Sequence, residues 1–217
     1  MISYAVVGHP TQVGSAICAH ISRRTWADGL SEALSAPVAL DNGSLGSLAN
    51  HDQAWRLAAL RGREWSLVLE DDTLICEDFE AHVSNALDSL PSLGVVSFYV
   101  GSGKPYPLAV LEAVDRATRK GASWLRSKRL YWGPAVAMPT SWVPRMLKAV
   151  KRSSRPYDQR LSDWAFSTDT PVYYSNPSLV DHRDAPSTIT DKPQPARRAV
   201  RYGEPAAWNS DAVYLGR

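Results

Sequence analysis

An almost unbroken apolar run, Trp65-Ser66-Leu67-Val68-Leu69, stops on three consecutive carboxylates, Glu70-Asp71-Asp72. Such a run reads as a central strand of a mostly parallel sheet, covered on both faces. The chain around it alternates. Ile2–Gly8 is a short apolar strand closed by Gly-His-Pro, and Ala16–Ala33 has helical spacing with Ile17, Ile21 and Leu30 inward. Val38–Leu40 is a second strand, ending in the turn cluster Asp41-Asn42-Gly43-Ser44. Asn50 is placed to cap a helix to about Arg61, Asp78–Leu90 is helical, and Gly94–Val100 is another strand. Strand–helix alternation of this kind predicts an α/β fold with an open, mostly parallel twisted sheet, flanked by helices and joined by right-handed crossovers.

Beyond residue 100 the pattern loosens. Residues 101–129 read as a Gly/Lys/Pro-rich loop and a basic helical segment, and Leu130–Met138 as a strand. Trp142–Lys151 and Asp158–Phe166 are short helices, and Val172–Ser175 is a strand. From Lys192 the chain carries several prolines with Arg197, Arg198 and Arg201, and reads as extended. The expected organisation is one domain over 1–190 followed by a tail over 191–217.

The 217 residues suffice for a substantial core. Two cysteines, Cys18 and Cys76, exclude a disulfide framework and a cysteine-rich zinc site. No stretch has the form of a signal peptide or a membrane span, so a soluble, cytoplasmic protein is expected. Charge is unevenly divided: residues 1–100 hold 5 basic and 12 acidic side chains, residues 101–217 hold 19 and 10. An acidic half joined to a basic half suits a metal site beside a polyanion site better than a uniform nucleic-acid surface. Nucleic acid is therefore not the expected partner.

Three constellations carry chemistry. In an extended backbone Glu70 and Asp72 point to one side and Asp71 to the other. Ligands of open α/β sheets sit at the carboxyl ends of the strands, where this triplet falls. Two same-side carboxylates there form a hard-oxygen site for Mg²⁺ or Mn²⁺; the plainer reading is a solvated turn with an Asp capping the next helix. The second constellation is Pro177-Ser-Leu-Val-Asp-His182-Arg183-Asp184 with Ser187-Thr188, in which His182 would add an imidazole and tilt the site towards Mn²⁺. The third is Asp158-Gln-Arg-Leu-Ser-Asp163-Trp164. Asp163 is a candidate general base; its plainer reading is an i,i+3 partner of Arg160 on a solvated face. Gly101-Ser-Gly103-Lys104 lacks the Walker spacing, His9 and His51 have no partners at metal-ligand spacing, and Cys18 has no nearby His.

Gly43-Ser-Leu-Gly46-Ser-Leu-Ala-Asn-His51-Asp-Gln-Ala-Trp55 and the strand end Leu67-Val-Leu-Glu-Asp-Asp72 together resemble glycosyltransferase family 25. That family pairs a Gly-x-x-Gly-x-x-x-x-His-x-x-x-Trp helix with a Leu-x-Leu-Glu-Asp-Asp strand. Ser97-Phe98 and Tyr131-Trp-Gly133-Pro134-Ala135 look like its later strands, and the segment ending at His182 is similar to late segments of other transferases of the GT-A fold. The resemblance spans roughly residues 40–190, and similar short proteins occur in bacteriophages. It implies a GT-A-like, metal-dependent, inverting glycosyltransferase that takes a nucleotide-diphosphate sugar and glycosylates a protein or glycan acceptor. A phage relative would act on a virion protein in the host cytoplasm. Glu70, Asp72 and His182 would hold Mn²⁺ or Mg²⁺, Asp71 would touch the ribose, and Arg183 would add positive charge at the diphosphate. Asp41 and Asn42 would border the base, and Asp163 would deprotonate the acceptor. Gly8-His9-Pro10 stands where the family usually has an Asn-Leu-x-x-Arg loop. The rival readings are a nucleotidyltransferase or nuclease, and a non-catalytic carbohydrate- or nucleic-acid-binding protein.

Overall fold

The computed structural model describes residues 1–8, 26–41, 45–102, 107–183 and 197–215. In chain order these form β1 (Ile2–Gly8), a helix over 26–33 (α1), β2 (Val38–Leu40), α2 (Gly46–Leu60), β3 (Trp65–Glu70), β4 (Thr73–Ile75), α3 (Phe79–Asp88) and β5 (Val95–Ser97). Next come α4 (Pro107–Lys120), β6 (Trp124–Ser127), β7 (Ala135–Pro139), α5 (Val143–Val150), α6 (Tyr157–Ser167), β8 (Val172–Ser175), β9 (Val180–His182) and β10 (Ala212–Tyr214).

Eight strands make one sheet in the order β10-β6-β8-β5-β7-β3-β1-β2, and β4 pairs with β9 in a small second sheet. Four of the seven neighbouring pairs in the large sheet are parallel, so the expected mostly parallel, helix-flanked sheet is present. Antiparallel β7 lies between β3 and β5 and breaks the parallel run.

The alternation of side chains along β1 and β3 explains their unbroken apolar sequence. Ala5, Val7 and Val68 enter one core, packed with Ala54, Trp55 and Ala58 of α2, Val110 and Ala113 of α4, and residues of α5 and α6. Tyr4, Val6, Leu67 and Leu69 enter the opposite core with Ala27 and Leu30 of α1 and Phe79, Val83 and Ala86 of α3. A strand with water on neither face has no reason to alternate polar and apolar residues.

Three local differences from the sequence reading have clear causes. α2 begins at Gly46, four residues before Asn50. Both oxygens of Asp41 accept the Leu45 and Gly46 amides, at 2.9 and 2.8 Å, and Gly46 takes φ +74° to enter the helix. Asn50 is instead fully buried and donates to the Gly8 carbonyl at 2.7 Å. Second, the stretch read as loop and helix over 101–129 also contains β6. Third, the tail, described from Arg197, carries a strand that the sequence reading left out: Val200 donates to the Val100 carbonyl at 2.8 Å, and β10 extends the sheet beside β6.

Candidate metal centre

β3 delivers Glu70 to the carboxyl edge of the sheet, and a two-residue turn then leads into β4. That turn is stapled to the segment before β7. The Glu70 amide donates to the Pro134 carbonyl at 2.8 Å, and the Thr73 hydroxyl donates to the same oxygen at 3.0 Å. The β4–β9 register sets Thr73 opposite His182, and the Arg183 amide closes the ladder on the Asp72 carbonyl at 2.8 Å. Residues 110 positions apart are thereby brought together by six residues of sheet.

One ligand atom from each of Glu70, Asp72 and His182 lies within 4.8 Å of the others. Asp72 and His182 are each only 2% exposed, while the Glu70 side chain is 29% exposed and opens the cluster to solvent. His182 Nε2 is 3.4 Å from Asp72 Oδ2, and Arg197 Nη2 is 3.7 Å from the same oxygen. His182 Nδ1 bonds the Arg183 carbonyl at 2.8 Å, so Nδ1 carries the hydrogen and Nε2 is the atom turned to the carboxylates. Among the described residues, buried Nε2 has no hydrogen-bond partner. Burial opposes the charge on Glu70, but the electrostatic pull of the nearby His51, then of His182 and Arg197, outweighs it and holds the carboxyl down at about 2. An anionic, partly open pair of carboxylates with a tautomer-fixed imidazole is a donor set that fits a divalent cation.

His51 of α2 approaches the cluster from the other side, with Nε2 3.6 Å from Glu70 Oε1. Its proximity was invisible in the sequence, where His51 has no ligand at metal spacing; only its place in the Gly-x-x-Gly-x-x-x-x-His-x-x-x-Trp stretch singles it out. The Tyr157 ring at the start of α6 stacks on it, with centroids 3.9 Å apart.

The other residues picked from the sequence are distributed as follows. Asp71 is 1% exposed beside the cluster, and Asp41 is engaged at the entry to α2. The Arg183 guanidinium lies 4.9 Å over the Trp26 ring. Asp163 stands outside the cluster. It accepts from Arg129 at 2.9 Å and also pairs with Arg155, and its side chain is 39% exposed. Arg160, its expected i,i+3 partner, turns inward to Asp52 at 2.5 Å and to the Leu48 carbonyl at 2.8 Å. Asp158, in the first turn of the same helix, is the acid nearer the cluster in its electrostatics. Burial and then the charge of Glu70 raise its carboxyl above the ordinary value, against the Gln159 amide that bonds it. Asn42, His9, Cys18, Gly103, Lys104, Asp184, Ser187 and Thr188 lie outside the described residues.

No protein-family profile matches the chain, and no curated protein matches it. Among solved structures, the chain is similar to a putative glucose-1-phosphate thymidylyltransferase from Bacillus anthracis in complex with a sucrose, with 8% identity over 81% of this chain and 86% of that one and a TM-score of 0.41. It is also similar to A197 from STIV, with 16% identity over 90% and 97% of the two chains and a TM-score of 0.43. Likenesses this distant carry no weight on function. Among the described residues no helix is long and apolar enough to cross a membrane.

Proposed function

We propose that the protein is a metal-dependent glycosyltransferase that moves a sugar from a nucleotide-diphosphate donor to a hydroxyl of a protein or glycan, with inversion. The observation that supports this best is the convergence of Glu70, Asp72 and His182, with Arg197 at their edge, beyond the carboxyl end of β3. Those three side chains would hold the cation, and the imidazole favours Mn²⁺ over Mg²⁺. A divalent ion so bound supplies Lewis-acid stabilisation to the departing diphosphate.

The chain's own groups do the rest. Arg197, whose side chain is partly exposed, adds positive charge on the donor's side of the cluster. Arg183 contributes from its place over Trp26, and Asp71 and Asp41 would border the nucleoside. The acceptor oxygen attacks the anomeric carbon, its proton passes to a carboxylate, and the anomeric C–O bond breaks with its electron pair leaving on the diphosphate. Asp163 is the base suggested by the sequence, but two guanidiniums already engage its carboxylate. We assign the base to Asp158, half-buried beside Tyr157, with a carboxyl that burial raises above the ordinary value.

The test is to incubate the protein with Mn²⁺ and a panel of nucleotide-diphosphate sugars and to measure nucleoside diphosphate released. Release with at least one donor, requiring Mn²⁺ and Asp72, is expected. Pyrophosphate release from a nucleoside triphosphate plus sugar phosphate would instead identify a nucleotidyltransferase. No turnover, and no thermal shift with any diphosphate plus Mn²⁺, would identify a binding protein.

A further inference from the structure

The surroundings of His51 are more constrained than packing alone requires. Its Nδ1 donates to the Ser47 carbonyl one turn back at 2.8 Å, which sets Nε2 towards Glu70 Oε1 at 3.6 Å, an ion pair when Nε2 also carries a hydrogen. The ring cannot swing away, because Tyr157 stacks on it at 3.9 Å with the planes 25° apart. Tyr157 is itself pinned: its hydroxyl accepts the Trp55 Nε1 hydrogen at 3.1 Å. Trp55 lies four residues after His51, on the same face of α2, so one helix fixes both the imidazole and its lid. On the far side, a Cβ at Gly133 would stand 3.0 Å from the Tyr157 ring and 3.6 Å from Glu70 Oε1. Glycine there leaves both groups in place. The His51 side chain is 5% exposed, and among the described residues its Nε2 has no hydrogen-bond partner and faces Glu70 Oε1.

The two histidines differ in one respect. His182 belongs to the cluster whose ligand atoms lie within 4.8 Å of one another, and His51 stands outside it. We infer that His51 is a positioning residue: clamped between Ser47 and Tyr157, it fixes where the Glu70 carboxylate stands at the metal centre. The inference rests on the reading of Glu70 as a metal ligand. Outer groups of this kind typically change metal affinity by about 10–100-fold.

The experiment uses the full chain and Mn²⁺ alone, titrated by electron paramagnetic resonance. His51→Ala weakens Mn²⁺ binding by about 10–100-fold. His51→Gln, whose amide N–H can reach Glu70, recovers most of that loss. In a Glu70→Gln background, His51→Ala changes affinity by less than about twofold, as expected of groups that act through one contact. Unchanged affinity in His51→Ala overturns the inference, and so does an equal loss in both backgrounds. A second measurement needs no metal: ring ¹⁵N signals of His51 move in Glu70→Gln, while those of His82 do not. Unmoved His51 signals overturn the inference whether or not Mn²⁺ binds. Moved signals in a protein that binds no Mn²⁺ support the contact and count against the metal reading alone.

Discussion

At the end of β3, Glu70 and Asp72 stand among two imidazoles and the edge of Arg197, backed by apolar strands. On the outer face of α6, Asp163 lies between the guanidiniums of Arg129 and Arg155, partly exposed. Both places present carboxylates in a charged sequence context, yet their chemistry differs. Asp163 is neutralised by two permanent cations in high dielectric, an arrangement worth about 0–1 kcal/mol and with no carboxylate charge left over. The Glu70–Asp72 pair faces imidazole nitrogens, which can share a metal ion, in surroundings that make an uncompensated charge costly. In the proposed function, what sets the Glu70–Asp72 pair apart from Asp163 is the kind of cation facing it and the water around it.

The largest effect expected is from Asp72→Ala. It should abolish Mn²⁺ binding and Mn²⁺-dependent release of nucleoside diphosphate, measured by calorimetric titration of donor and by product assay; equal donor affinity in variant and wild type would break the contrast. Asp158→Asn comes next, lowering transfer by about 10²–10⁴-fold with donor affinity retained. The acid limb of the wild-type rate profile should lie above the ordinary Asp range, since the base acts deprotonated and burial raises that carboxyl. If Asp163→Asn stops transfer instead, the outer face holds the base. Third, Mn²⁺ at about 100 times its dissociation constant should stabilise the protein by about 2.7 kcal/mol in denaturant melts. Asp72→Ala should show no such gain. Smallest is Asp163→Asn itself, with transfer within about twofold of wild type and a stability loss of at most about 1 kcal/mol.

β3 and its acidic end were legible because a strand buried on both faces writes a continuous apolar run, and three carboxylates directly after it stand out against that run. Val172–Ser175, buried at all four positions, was legible for the same reason on a smaller scale, whereas Val38–Leu40 is an edge strand marked by its apolar residues and the turn cluster after it. The meeting of Asp72 with His182 was only half legible. Each residue type suggests metal chemistry, but the three-residue strands β4 and β9 that join them are too short to leave a period-2 pattern. β10 was missed likewise, since Ala212 and Tyr214 are exposed and Val213 alone is buried. The proposed choice of Asp158 over Asp163 as the base rests on which face of α6 meets α2. That is settled by Tyr157 and Arg160 packing against His51 and Asp52, contacts more than a hundred residues long that no local pattern encodes.

The most direct test is anomalous diffraction at the manganese edge from crystals grown with Mn²⁺. A peak within coordination distance of Glu70, Asp72 and His182 Nε2 is expected. A peak elsewhere, or none at these side chains while Mn²⁺ is present in excess, would contradict the metal centre and the transferase built on it.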